Sequence, residues 1–206
     1  MDIHSEDLAY WYLRLNGFLT IRNFIVHPDK GSNQETDVDL LGVRFPFRAE
    51  NLRRPMLDDR LFRAVPRSYI VLCEVKSGVC ALNGPWTRPE RGNLNRVLHA
   101  VGAFSGKENE WIASEIQSTG MFENQFYRVS LVCFGRERSW TLAVSHPNVP
   151  QITWAECLGF IYDRFRAYRN EKASHGQWDD TGKVLWDEAV RFRRDRPGFI
   201  DSFQIS

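Results

Sequence analysis

Three ionisable residues stand in two short apolar segments of the chain, where charged side chains are uncommon. Asp39 lies in the segment 36–41, and Glu74 and Lys76 lie in the segment 70–76. Both segments are rich in Val, Leu and Ile, which predicts buried strands. A charged residue inside such a strand is rare unless it is paired or binds a metal ion. These three residues are therefore the first candidates for chemistry.

The alternation of side chains along a strand predicts how these residues meet. Residues two apart share a face, so Glu74 and Lys76 point to one side while Cys73 and Val75 point into the core. A neighbouring strand that carries Asp39 adds a second carboxylate to the face of Glu74. Two carboxylates hold a hard cation such as magnesium, and an adjacent lysine handles a water molecule or a phosphate. The pattern favours hydrolysis of phosphodiester bonds; a buried ion pair is the structural alternative.

Hydrophobic periodicity and turn residues predict an α/β order of elements around the two segments. The predicted helices span 5–16, 56–65, 93–104, 108–117, 154–168 and 181–194, and the predicted strands span 18–26, 37–45, 69–77, 126–134 and 140–144. Polar loops or linkers are expected at 27–33, 78–92 and 173–180. Pro197 and Gly198 are expected to stop the last of these helices from continuing. We therefore expect one mixed sheet in a core of residues 1–150, followed by a helical extension over 151–206 that packs on it.

The order of these elements and motifs resembles the PD-(D/E)XK nuclease superfamily, in particular its Mrr-like restriction endonucleases and archaeal-type Holliday-junction resolvases. The resemblance is carried by a leading helix with Glu6, a stop at Gly17 and Phe18, a strand, and the segments 37–41 and 72–76. It covers about the first half of the chain. It implies a restriction endonuclease-like αβββαβ core with a mixed central sheet, to which the C-terminal helices are added.

The resemblance also implies roles for individual residues. Asp39 and Glu74, together with the main-chain carbonyl of Val75, would bind Mg²⁺, and Mn²⁺ is expected to substitute for it. Lys76 would orient the attacking water or stabilise the charge that develops on phosphorus. Glu6 would face the site and assist metal binding. The implied activity is a metal-dependent endonuclease acting on nucleic acid, with DNA as the expected substrate. The alternative is a nuclease-fold module with weak or no catalysis that binds nucleic acid or a protein partner.

Three features depart from the family pattern. The motif aspartate is not preceded by proline, and this branch of the superfamily often lacks the Pro-Asp pair as well. The helix after the motif lysine lacks the glutamine that many Mrr-like members carry. The candidates to contact the substrate phosphate in its place are Asn93, Asn95, Arg96 and His99. An insert at 46–68 lengthens the gap between the two motif segments and carries six arginines. These arginines are compatible with a nucleic-acid arm or with a solvated loop of mixed charge.

The composition limits the partners and the location of the protein. With 27 basic and 26 acidic residues the net charge is +1, so a nucleic-acid contact must come from a local basic patch. No segment reaches the apolar length of a membrane span and residues 1–7 lack the pattern of a signal peptide, so we expect no membrane contact and a cytoplasmic location. The four cysteines show no paired spacing and are expected to be small buried hydrophobes. The aromatic C-terminal helices suit either the core or a surface for a protein partner or a homodimer.

Overall fold

The chain forms a mixed α/β structure in the computed structural model, which describes residues 1–27, 36–173, 176 and 178–206. The strands are β1 (Asp2–Ile3), β2 (Leu19–Val26), β3 (Thr36–Arg44), β4 (Ser68–Val75), β5 (Met121–Glu123), β6 (Tyr127–Gly135), β7 (Gln151–Thr153) and β8 (Gln204–Ile205). The helices are α1 (Ser5–Leu15), α2 (Arg60–Arg63), α3 (Gly84–Thr87), α4 (Asn93–Val101), α5 (Gly106–Thr119), α6 (Trp140–Ser145), α7 (Trp154–Ala167), α8 (Arg169–Lys172), α9 (Asp180–Arg191) and α10 (Arg196–Asp201). Residues 28–33 of the first predicted loop and residues 174, 175 and 177 of the predicted linker lie outside the described residues.

Six of the strands form one mixed sheet. Its hydrogen-bonded order is β2-β3-β4-β6-β5, and β7 also pairs with β6. The pairs β2–β3 and β3–β4 are antiparallel, whereas β4 and β6 are parallel. Parallel neighbours need a crossover connection, which the segment containing α3, α4 and α5 supplies. Outside this sheet, β1 and β8 form a parallel pair that joins the two ends of the described chain.

The strand β4 lies inside the sheet and is buried on both faces. Its apolar residues from Tyr69 to Cys73 are at most 3% exposed. Val71 and Cys73 belong to the core that contains α1, whereas Leu72 belongs to the core that contains α4. This confirms the predicted alternation along the strand. It also places Glu74 on the side of the sheet that Leu72 faces.

Helices cover both faces of the sheet. On one face α1 packs together with α7, α9 and α10, and their shared core includes Trp11, Tyr162 and Phe199. On the other face α3, α4 and α5 pack around a second core that includes Trp86 and Ile112. Large aromatic residues of the C-terminal helices are therefore core residues that extend the packing of α1. None of the described helices is both long and apolar enough to cross a bilayer.

The insert 46–68 is fixed to the rest of the protein by buried ion pairs. The Asp58 carboxylate accepts hydrogen bonds from Arg44 in β3 at 2.5 Å, from Arg48 at 3.0 Å and from Arg164 in α7 at 3.1 Å. Asp58, Arg44 and Arg164 are each no more than 7% exposed. Arg48 thus belongs to a structural network. For this arginine, neither of the two interpretations of the sequence, a nucleic-acid arm or a solvated loop, is correct.

The predicted strand at 140–144 is wrong, because these residues form α6. The Ser139 hydroxyl caps this helix by accepting a 3.2 Å hydrogen bond from the N–H of Leu142. Apolar residues alternate in this segment, which favours a strand with one buried face. However, Trp140 is 83% exposed and Val144 is 62% exposed, so the alternating residues are not buried together. Leu142 is the one residue of this helix that is buried.

The predicted role of Pro197 and Gly198 as helix-stopping residues is also wrong, because α9 already ends at Arg191. Both residues lie in the first turn of α10, where the missing N–H of proline costs nothing. The Asp195 side chain caps this turn by accepting a 2.9 Å hydrogen bond from the N–H of Gly198. Two other predictions need adjustment: of the helix predicted at 56–65 only α2 forms, and the loop predicted at 78–92 contains α3. The four cysteines are buried and free, as expected.

Candidate active site

Asp39 and Glu74 come together where β3 and β4 stop pairing. The last paired residues on this side are Leu40 and Cys73, and Asp39 and Glu74 are the next residues outward on the two strands. Beyond this point a side chain, and not the main chain of β3, accepts the hydrogen bond from β4: Oδ2 of Asp39 accepts a 2.7 Å hydrogen bond from the main-chain N–H of Val75. The two carboxylates are close enough for the charge of Asp39 to raise the pKa of Glu74.

The Glu74 carboxylate is 4% exposed and both of its oxygens have partners. Its Oε1 forms an ion pair with Nζ of Lys76, and its Oε2 accepts a 2.5 Å hydrogen bond from the indole N–H of Trp86 in α3. The Lys76 ammonium also donates to Oδ1 of Asn83 at 2.9 Å. Its main-chain N–H donates to the carbonyl of Phe134 in β6 at 3.0 Å. Backbone and side chain of Lys76 are thus both held in place.

Glu6 lies in the first turn of α1. Burial raises the pKa of Glu6, and the negative charge of Asp39 raises it further. The helix dipole favours any acid in this turn, and the adjacent Asp7 is already balanced by an ion pair with Arg22. Glu6, in contrast to Asp7, forms no ion pair with a described residue.

Burial is the main electrostatic influence on the three carboxyl groups. It raises the pKa of Glu74, although ion pairing with Lys76 and the hydrogen bond from Trp86 favour the charged form. It raises the pKa of Asp39 despite a main-chain hydrogen bond and the charge of Lys76. Burial, and then the charge of Asp39, raises the pKa of Glu6. An added cation would stabilise the charged forms of all three groups.

Asp39 and Glu74 are the residues at this edge of the sheet that could hold a magnesium ion. Within the part of the chain that the structure describes, no three Asp, Glu, His or Cys side chains are placed to hold a metal ion. Magnesium, however, is usually held by one or two carboxylates, with water and substrate phosphates completing its octahedron. Asp39 and Glu74 supply two carboxylates, and Oδ1 of Asp39 makes no hydrogen bond to any described residue. The main-chain carbonyl of Val75 is the third oxygen that the family resemblance implies.

The residues predicted to contact the substrate phosphate, Asn93, Asn95, Arg96 and His99, all lie on α4. His99 is exposed, and its ring lies beside Gly106 at the start of α5. Arg96 is half-buried, and Asn93 is almost fully buried. Over the described ranges, neither His99 nor Asn95 forms a hydrogen bond or ion pair with the three motif residues. A contact between α4 and a phosphate stays a prediction.

Sequence reasoning missed two residues that the structure places in the site, Trp86 and Asn83. Both lie in the segment 78–92, for which the sequence predicts only a loop. Trp86 is 1% exposed, and a buried indole N–H requires an acceptor, which Glu74 provides. The sequence signal that could have identified Trp86 is the turn formed by Asn83, Gly84 and Pro85 directly before it. A large aromatic residue directly after such a turn is a candidate for packing into the core.

Comparison of the chain with models of protein families, with curated proteins and with solved structures finds no significant match. The function therefore has to be inferred from the geometry of the site itself. That geometry is a buried carboxylate, a half-buried carboxylate and a lysine where two strands of a mixed sheet separate, with a further carboxyl group, Glu6, on the first helix.

Proposed function

We propose that the protein is a magnesium-dependent nuclease of the PD-(D/E)XK type, which hydrolyses phosphodiester bonds in DNA. The observation that carries this proposal is the hydrogen bond from the N–H of Val75 to Asp39. It fixes one carboxylate at the point where β3 leaves β4, next to the Glu74–Lys76 pair. An ion pair that served stability alone would not need a second carboxylate, because Lys76 already balances Glu74.

The order of elements supports the restriction endonuclease-like fold as part of this proposal. The sequence α1, β2, β3, β4, α4 and β6 follows the αβββαβ order, with three antiparallel strands and then a parallel partner for the third. The candidate residues lie at the carboxyl end of the third of these strands, on the strand beside it and on the first helix. The C-terminal helices add to the core of α1, which lies on the face of the sheet opposite to that of Leu72 and Glu74.

Each residue has a role in the proposed reaction. Asp39 and Glu74, with the Val75 carbonyl, would hold Mg²⁺ or Mn²⁺. When bound, the ion lowers the pKa of a coordinated water and offsets the charge of the phosphate. Lys76 would orient the attacking water and donate a hydrogen bond to the negative charge that develops in the transition state. Glu6 would hold water molecules around the ion through its carboxylate.

A second candidate function is a nuclease-fold module that binds nucleic acid or a protein without cleaving. One observation favours it: both oxygens of Glu74 already have partners, Lys76 and Trp86. A cation would have to share these oxygens or displace Lys76 from Oε1. The retention of aspartate, glutamate and lysine together favours the enzyme, because a binding module does not need all three.

The experiment that separates the two functions is a cleavage assay on a panel of substrates. Single-stranded, duplex, branched and methylated DNA, and RNA, are each incubated with magnesium, manganese or EDTA. The matched variants are Glu74→Ala and Glu110→Ala, the second removing an exposed acid of α5. Metal-dependent cleavage by the wild-type protein and by Glu110→Ala, but not by Glu74→Ala, supports the enzyme. Failure to cleave any substrate, together with no magnesium binding in a titration, supports the module.

A further inference from the structure

A groove on the C-terminal helices concentrates positive charge far beyond what the net charge of the chain suggests. It lies between the C-terminal ends of α7 and α9, includes α8 and encloses about 290 Å³. Four arginines line it, Arg166, Arg169, Arg193 and Arg194, and no acidic residue does. All four are exposed. A chain with a net charge of +1 thus carries a local patch of the kind that nucleic-acid binding requires.

These four arginines have no acidic partner among the described residues, unlike the arginines that ion pairs hold elsewhere in the protein. Arg44, Arg48 and Arg164 share Asp58, and Arg138 binds Glu156. Among the described residues, none of the four groove arginines forms an ion pair or lies over an aromatic ring. Their guanidinium groups therefore keep their donors for a ligand. Guanidinium donors match the oxygens of a phosphate in a bidentate way.

Two aromatic residues, Phe165 and Trp186, line the groove beside the arginines. Phe165 and Trp186 meet edge to face with ring centroids 5.3 Å apart, and Phe165 is buried. Trp186 is half-buried and lines the groove, so part of its ring is available to a ligand. Arginines beside an accessible indole combine charge for a backbone with a surface on which a base can stack.

We propose that this groove, defined by Arg166, Arg169, Arg193, Arg194 and Trp186, binds the phosphodiester backbone of a nucleic acid. It is a second binding surface, built from elements that do not contribute the Asp39–Glu74 site. The choice of nucleic acid over another polyanion rests on the proposed function. The groove would hold a stretch of the strand outside the segment being cleaved and so increase the affinity for long substrates.

The test measures binding without cleavage, in EDTA, by fluorescence anisotropy of a labelled single-stranded DNA over a series of salt concentrations. The groove variants are Arg193→Gln/Arg194→Gln and Arg166→Gln/Arg169→Gln. The control is Lys183→Gln/Arg196→Gln, which removes the same charge from two exposed residues that already pair with Asp180 and Asp163. Circular dichroism checks that every variant is folded.

We expect each groove variant to weaken DNA binding about tenfold. The slope of log affinity against log salt should become about 2 less steep, since each arginine that no longer neutralises a phosphate reduces it by roughly 1. The control should change neither quantity as much. Trp186→Leu should weaken single-stranded DNA binding and leave the salt slope unchanged, since it removes stacking and no charge. Affinities of the groove variants equal to that of the control would overturn the proposal.

Two further outcomes separate this proposal from the proposed function. If the groove variants lose binding to polyglutamate but keep binding to DNA, the groove takes an acidic protein and the proposal is wrong. If the groove variants lose DNA binding while no DNA is ever cleaved, the groove proposal stands and the nuclease proposal fails. Conversely, metal-dependent cleavage of a short DNA with unchanged binding in the groove variants supports the nuclease and overturns the groove proposal.

Discussion

Trp86 donates its indole N–H to Oε2 of Glu74 at 2.5 Å, and both residues are buried. This hydrogen bond ties α3, in the crossover segment, to the end of β4. Together with Lys76 on Oε1 it fixes the rotamer of Glu74 before any cation arrives. Groups that orient a metal ligand in this way control affinity for the metal although they do not touch it. Trp86 is therefore a positioning residue of the proposed site.

Trp86→Phe should weaken magnesium activation because it removes the N–H and keeps most of the ring. We expect the magnesium concentration for half-maximal cleavage to rise by about 10-fold to 100-fold. Saturating magnesium should restore part of the rate, which loss of fold would not allow. The measurement is the initial rate as a function of magnesium concentration. Trp111→Phe, which changes a half-exposed tryptophan on α5, is the control and should behave like the wild type.

Asp39→Ala, Glu74→Ala and Lys76→Ala should each abolish magnesium-dependent cleavage and leave the protein folded. The two acids are the proposed metal ligands, and Lys76 is the proposed donor to the developing charge, a contribution that is commonly about 10²-fold to 10³-fold in rate. Single-turnover cleavage rates and circular dichroism of each variant test this. The control is Lys183→Ala, which removes an exposed lysine of α9. Full activity of the Lys76→Ala variant would contradict the proposed mechanism.

Much of the sheet could be predicted from the sequence because its strands are local patterns of apolar residues. The bounds of β2, β3, β4 and β6 agree with the prediction within about two residues, which is the usual precision for element ends. The pairing of the two motif strands followed from one premise, that a charged residue within a buried strand needs a partner. The structure provides that partner for Asp39 in the N–H of Val75.

The wrong predictions have a common physical cause: tertiary contacts determine the structure of these segments, and a local sequence pattern does not contain those contacts. Residues 140–144 alternate like a strand, but a serine cap closes a helical turn there instead. Arg48 in the insert has the sequence context of a solvated loop, yet it shares the Asp58 carboxylate with two buried arginines, Arg44 and Arg164. The partner of Trp86 is 12 residues earlier in the chain, beyond the reach of any periodicity.

The pH dependence of stability should differ between the wild-type protein and Glu74→Gln in the absence of metal. Burial raises the pKa of Glu74 in the folded state, so folded protein binds its proton more tightly than unfolded protein does. The resulting stabilisation is fully present below the ordinary carboxyl pKa and is lost as the pH rises through the raised folded pKa. Each unit of pKa difference corresponds to about 1.4 kcal/mol in the free energy of unfolding.

Urea unfolding between about pH 4 and pH 7 measures this effect, since linkage operates in that range for a raised carboxyl pKa. The free energy of unfolding of the wild-type protein should fall relative to that of Glu74→Gln as the pH rises. Magnesium at neutral pH should stabilise the wild type more than the variant, because a bound cation favours the charged carboxylate. The control, Glu110→Gln, removes an exposed acid. Parallel curves for wild type and Glu74→Gln would contradict the assignment of burial as the dominant influence.

Asp58→Ala should be strongly destabilising although Asp58 is not in the proposed active site. The carboxylate accepts hydrogen bonds from Arg44, Arg48 and Arg164, and its removal leaves two buried guanidinium groups without their main acceptor. Breaking a buried ion pair by removing one partner commonly costs about 3–5 kcal/mol. The free energy of unfolding in urea should fall by an amount in this range, whereas Asp180→Ala, which removes a fully exposed acid paired with Lys183, should change it little. A stability of Asp58→Ala close to that of the wild type would show that the insert is held by its apolar contacts instead.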